Sequence, residues 1–90
     1  MELTPRKKAI LEAVVNSYVL TGEPVGSKAL AAAIENSPSS ATIRNEMNEL
    51  CSLGLLFQPH VSAGRVPTSL GFKVYVSSIM RTSGLDERTK

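Results

Sequence analysis

Ninety residues carrying a formal net charge of +2 suffice for one domain that buries roughly 60 to 65% of its unfolded surface, which leaves no room for a large internal substrate cavity. The single cysteine, Cys51, excludes an intrachain disulfide and a cysteine-rich zinc site, so neither metal nor cofactor is expected. No apolar run approaches the roughly 20 residues needed to cross a bilayer, and the basic start lacks the apolar core of a signal peptide; a soluble, cytoplasmic chain with no membrane partner is expected.

Thr4-Pro5 predicts the start of a first helix, with threonine as the cap and proline at the first helical position, where its missing N–H costs nothing. Ile10, Leu11, Val14, Val15 and Tyr18 follow at helical spacing as a core-forming stripe, and Thr21-Gly22 ends it. Glu23-Pro24-Val25-Gly26 reads as a turn. Ser27 is expected to cap a shorter helix reaching about Ile34, with Leu30 and Ile34 as its buried pair and small alanines between them. Asn36-Ser37-Pro38 breaks that helix.

The stretch from Ser39 to Gly54 carries the strongest pattern in the chain. Ser39 is suited to the N-cap, Thr42 falls at the third helical position, and Gly54 stands where a left-handed residue closes a helix. Ile43, Met47, Leu50 and Leu53 form one apolar stripe. The opposite face carries Ser40, Thr42, Arg44, Asn45, Asn48 and Glu49, and its first half is rich in groups that contact phosphates and base edges. Two helices joined by so short a break, the second exposing Thr, Arg and Asn near its start, have the form of a helix-turn-helix.

After Gly54 the period changes. Leu55-Leu56-Phe57 predicts a strand, and Gly64 a turn before a return strand at Arg65-Val66, with Val61-Ser62-Ala63-Gly64 at the tip. Helices followed by a hairpin with a basic residue near its tip have the order of a winged helix, whose wing reaches phosphate or the minor groove. Thr68 caps a last helix from Ser69 to about Arg81, with Phe72, Tyr75, Val76, Ile79 and Met80 on one side. Gly71 in its first turn costs up to about 1 kcal/mol relative to alanine, and close backbone approach to a neighbour is the expected reason. The fold class expected is mostly α with a small β-hairpin, a winged helix-turn-helix of three core helices, a wing and a C-terminal helix. It is expected to span residues 1–81, with 82–90 a linker or truncated junction to an absent C-terminal region.

Four segments, TGEPVGSKAL (Thr21 to Leu30), ATIRNEMNEL (Ala41 to Leu50), LGLLFQPH (Leu53 to His60) and SAGRVPT (Ser62 to Thr68), closely resemble the N-terminal domain of the heat-inducible transcription repressor family, HrcA. The resemblance runs nearly to Ile79, with the motifs in order and correctly spaced. It implies a winged-helix domain of a bacterial repressor that binds an inverted-repeat operator upstream of chaperone operons. It further implies a homodimer held through a larger C-terminal region resembling a GAF domain, with the chaperonin as a modulator. One departure is Ser40, where family members can carry proline.

In that frame the helix from Ser40 is expected in the major groove, with Thr42, Arg44 and Asn45 nearest base edges or flanking phosphates. Arg44 has no acid three or four residues on, since Met47 and Asn48 stand there, so an ion pair along its own helix is disfavoured. Ser39 and Ser40 are read as caps that also present N–H groups to a phosphate, and Ser27 and Lys28 are placed in the same way at the preceding helix. For Lys28 the alternative is a solvated lysine. Arg65 is read as a wing contact against a salt bridge to the body, and His60 as a wing contact against a structural hydrogen-bonder. Lys7 and Lys8 are weaker candidates for outer phosphate contacts. A nucleophilic site built from Cys51, His60 and Glu49 is rejected for want of a pocket. The competing class is a winged helix that binds protein, which needs an apolar surface over the third helix in place of Ser, Thr, Arg and Asn.

Overall fold

A computed structural model describes residues 3–34, 38–60 and 63–83, the last helix with side chains up to position 78. The expectations for Asn36-Ser37, for Val61 and Ser62 at the wing tip, for the side chains of Ile79 and Met80, and for the junction beyond Ser83 lie outside the described residues. The elements are α1 (Pro5–Thr21), α2 (Ser27–Ala33), α3 (Ser40–Ser52), β1 (Leu56–Phe57), β2 (Val66–Pro67) and α4 (Ser69–Ser83). The fold is a mostly helical winged helix with one antiparallel hairpin, in which Leu56 pairs with Pro67 and Phe57 with Val66.

Local chemistry sets most of the boundaries. The Thr4 hydroxyl accepts the Lys7 N–H at 3.1 Å, Pro5 begins α1, and Gly22 ends it at φ 72°, a conformation that glycine adopts without steric cost. At the end of α3 the Gly54 N–H donates to the Cys51 carbonyl and the Leu55 N–H to the Leu50 carbonyl, both at 3.0 Å. With Gly54 at φ 81°, these two bonds form a Schellman closure, and the accompanying apolar contact is Leu50 with Leu55, both in the core.

The core gathers Ile10, Leu11, Val14 and Val15 of α1, Leu30 of α2, Ile43, Met47 and Leu50 of α3, Leu56 of β1, and Val25 and Leu55 from the connecting segments. Each fully buried Leu, Ile or Val contributes about 1.5–3 kcal/mol against conformational entropy, so the α1–α2–α3 packing is what fixes the direction of α3. Tyr18 and Ile34 are only half-buried. Leu53, expected on the buried stripe of α3, is 40% exposed; the helix ends at Ser52 and Leu53 sits at the cap, where the chain has already turned away. Val76, expected inward on α4, is likewise exposed.

One further expectation needs correction, and one gains a second reason. Ser27 does not cap α2: Gly26 occupies that position, its carbonyl accepting the Leu30 N–H at 3.0 Å, and Ser27 is the first helical residue with no side-chain cap bond before it. Gly64, read as the turn before the return strand, is not among the described glycines of positive φ, which are Gly22 and Gly54. It is required because a Cβ there would run into the Val25 carbonyl group. Val25 and Arg65 exchange both backbone hydrogen bonds, each at 2.9 Å, so the turn before α2 becomes a third partner of the hairpin.

α4 begins where expected. The Thr68 hydroxyl accepts the Gly71 N–H at 3.0 Å and donates to the Gly54 carbonyl at 2.6 Å. A Cβ at position 71 would overlap the Leu55 carbonyl, so the glycine in this first turn permits the close approach of α4 to the α3–β1 corner. Farther along, the Tyr75 hydroxyl donates to Asn16 Oδ1 at 2.6 Å and the Ser78 hydroxyl to Glu12 Oε2 at 3.2 Å, lashing α4 to α1.

Candidate nucleic-acid interface

The first turn of α3 is fastened by its own cap. The Ser39 hydroxyl accepts the Thr42 N–H at 3.2 Å and lies 3.1 Å from the Thr42 hydroxyl. Thr42 is therefore half-buried and committed to the cap, while Arg44 and Asn45 on the next turn are exposed. Ser27, Lys28, Ser40, Ala41, Arg44 and Asn45 line one cleft of about 280 Å³ between the starts of α2 and α3. The short break between these helices thus brings most of the candidate residues of the helix-turn-helix to a single place. Among the described residues neither Arg44 nor Lys28 has an ion-pair partner.

A second cavity, of about 310 Å³, lies between α3 and the wing, with Ser27, Arg44, Gln58, Gly64 and Arg65 among its walls. No carboxylate lines either space among the described residues. The Val25 pairing holds the Arg65 backbone here. Its guanidinium does not return to a carboxylate: Nη2 donates to Asn48 Oδ1 at 2.5 Å, and Nε is buried without a partner among the described residues. Gln58 Nε2 donates to the Ala63 carbonyl at 2.9 Å, and the Ala63 N–H donates to the His60 carbonyl at 3.0 Å, closing the base of the wing. His60 is exposed on that loop and lines neither cavity.

Sequence reasoning gave Gln58 no role and treated Asn48 only as part of a polar face. The spacing of Asn48 four residues after Arg44 put both on one side of α3; the partner in the wing carried no local signal.

The basic start of α1 also meets α3, but on its acidic flank. Lys7 Nζ lies 2.6 Å from Glu49 Oε1 and 2.9 Å from Glu46 Oε1, and Arg6 Nη1 lies 3.7 Å from Glu46 Oε2. The hydrogen bond to Glu49, and then that to Glu46, holds the Lys7 ammonium above its ordinary pKa of 10.5. With its side chain 16% exposed, Lys7 is half-buried and held by two carboxylates, which compete with any phosphate for its ammonium. Lys8 remains exposed. The pairing offsets two carboxylates on the helix whose other side carries Arg44.

The family model for the winged helix-turn-helix transcription repressor, HrcA DNA-binding, matches residues 2–79. The chain belongs to this family. Two relatives named heat-inducible transcription repressor HrcA are each 50% identical to it: one from Clostridioides difficile (strain 630) over the whole of this chain and 26% of its own length, the other from Synechococcus sp. (strain JA-3-3Ab) over 96% of this chain and 22% of its own. A crystal structure described as that of a hypothetical protein superposes on 89% of the chain with a TM-score of 0.83 and 38% identity, and the match covers 26% of that protein. The chain thus spans about a quarter of the length of the HrcA relatives it matches. Within the HrcA domain no group of three or more His, Cys, Asp or Glu side chains is placed to hold a metal, and no helix is long and apolar enough to cross a membrane, among the described residues.

Proposed function

We propose that this chain is the sequence-specific DNA-binding domain of a bacterial repressor of heat-shock genes, reading an inverted-repeat operator as part of a homodimer. The observation that carries the reading is the single face on which Lys28, Arg44, Asn45 and Arg65 meet, with no carboxylate lining its two clefts among the described residues. α3 enters the major groove with Arg44 and Asn45 leading, since an arginine spans the two acceptors of guanine and an asparagine the acceptor and donor of adenine. Ser27, Lys28, Ser39, Ser40 and Thr42 border the phosphate backbone, and the wing supplies Arg65, with His60 farther out on the loop. Dimerisation doubles these contacts across a two-fold operator and supplies most of its affinity; the partner subunit's contacts and any chaperonin control belong to the larger protein. A protein-binding role is not favoured, because the outward face of α3 is polar and cationic where a protein partner needs an apolar surface.

Replacing Arg44 by alanine is expected to cost about 1–3 kcal/mol of discrimination against a scrambled duplex, measured with inverted-repeat DNA from upstream of a chaperone operon. Replacing Arg65 is expected to weaken binding to both duplexes and to reduce the salt slope by about one. Unchanged affinity and slope in both variants would remove the proposed face.

A further inference from the structure

We propose that Asn48 is a positioning residue: it aims the Arg65 guanidinium toward the cavity whose walls Arg65 shares with Arg44, so that Arg65 seats one phosphodiester of the DNA backbone beside the base-reading Arg44. The inference rests on the DNA-binding reading above and adds to it both a residue and the chemical group that residue serves.

Asn48 and Arg65 are 17 residues apart and belong to different elements. Their bond is a side-chain link between the helix that enters the groove and the wing beside it. An asparagine oxygen takes one guanidinium proton and offers no charge, so it orients Arg65 without neutralising it. An aspartate or glutamate there would form an ion pair and cancel the charge that DNA is to meet. The main-chain pairing of Arg65 with Val25 and the glycine at position 64 packed against that same carbonyl fix where the side chain starts. Asn48 then fixes where it ends.

The guanidinium keeps its charge: Asn48 is a neutral partner, and no carboxylate pairs with Arg65 among the described residues. Nε is buried without a partner among the described residues, and a buried donor left unpaired is costly. The cavity of about 310 Å³ brings Arg44 to the same space, together with Gln58. A cavity with two arginines and no carboxylate among its described walls suits a small, diffuse anion with several acceptor oxygens. A phosphodiester has two non-bridging oxygens and matches the fork of an arginine. It is also the anion nearest to both a recognition helix and a wing when these straddle one strand of a duplex.

The test uses Asn48→Ala, Asn48→Asp, Arg65→Ala and the Asn48→Ala/Arg65→Ala double variant, each titrated with a random-sequence duplex at several salt concentrations. The seat reads no bases, so no operator is needed. Asn48→Ala is expected to lose several-fold in affinity with a shallower salt slope, although it removes no charge. Asn48→Asp is expected to lose more, because it pairs with Arg65 and adds a negative charge beside the seat. The double variant is expected to bind no worse than Arg65→Ala alone. Native-like binding by Asn48→Ala, an Asp variant that binds as well as the native chain, or losses that add in full in the double variant would each overturn the positioning role. A fall in melting temperature for Asn48→Ala that accounts for its weaker binding, with losses additive to those of Arg65→Ala, would assign Asn48 to folding and overturn it too. If instead Arg44→Ala and Arg65→Ala both bind as the native chain does, the DNA-binding reading of the face falls first.

Discussion

The helix α3 and the wing meet at the Asn48–Arg65 bond, yet they arrive there by different physics. α3 is seated by volume: Ile43, Met47 and Leu50 are 0%, 2% and 0% exposed, and they hold the helix against α1 and α2 wherever its polar side then points. The wing has two strands of two residues each, too little for a hairpin to stand alone. It is placed by main-chain bonds from Val25, by the Gln58 side chain across its base, and by the missing Cβ at Gly64. Leu56 and Val66 anchor the strands of the wing, the second half of the interface, in the core, but its close approach to Val25 depends on an atom that is absent at Gly64.

The largest expected effect tests the first half. Leu50→Ala leaves a cavity at a fully buried site and is expected to cost about 2–5 kcal/mol, read as a lowered denaturation midpoint, with faster amide exchange throughout α1 and α3. Gly64→Ala tests the second. Its Cβ displaces the Val25 carbonyl, and the expected loss is about 1–3 kcal/mol, in the range of overpacking strain. Amide exchange should quicken at Val25 and Arg65 while α3 stays protected. If Gly64→Ala loosens α3 as much as the wing, the two regions do not differ in the way described.

The smallest effect sharpens the comparison on the acidic flank of α3. The Lys7 pKa is raised in the folded chain, so its pairing with Glu46 and Glu49 contributes fully below the unfolded value of 10.5 and is lost as pH rises through the higher folded value. Thermal melts of the native chain should therefore fall at alkaline pH above about 10.5 by more than those of Lys7→Met. Equal alkaline losses would show that α3 is held by its apolar stripe alone.

The same division explains what the sequence made legible. Caps and closures are written locally: Thr4 and Pro5, Ser39 with Thr42, Gly54, and Thr68 with Gly71 each act within a few residues, and the structure agrees with each. The apolar stripe of α3 was readable through Leu50 and failed at Leu53, because periodicity cannot show that the helix stops one residue earlier. The cationic face was readable as a list of residue types, but not as a geometry. Nothing near Lys7 announces that Glu46 and Glu49 will claim it, nothing near Arg65 announces Asn48, and the turn at Val25 carries no strand pattern to betray its pairing with the wing. Gly64 was legible as a turn residue but not as a close approach, since a glycine needed for space looks in a sequence like one needed for a turn.

The pairing between Val25 and Arg65 is made entirely of peptide groups, and any residue other than proline supplies those at position 65. Evolution can therefore rewrite the side chain at that spot, trading one preference for another, while the scaffold that presents it stays put. In this domain the address of the contact and the message it carries are inherited separately.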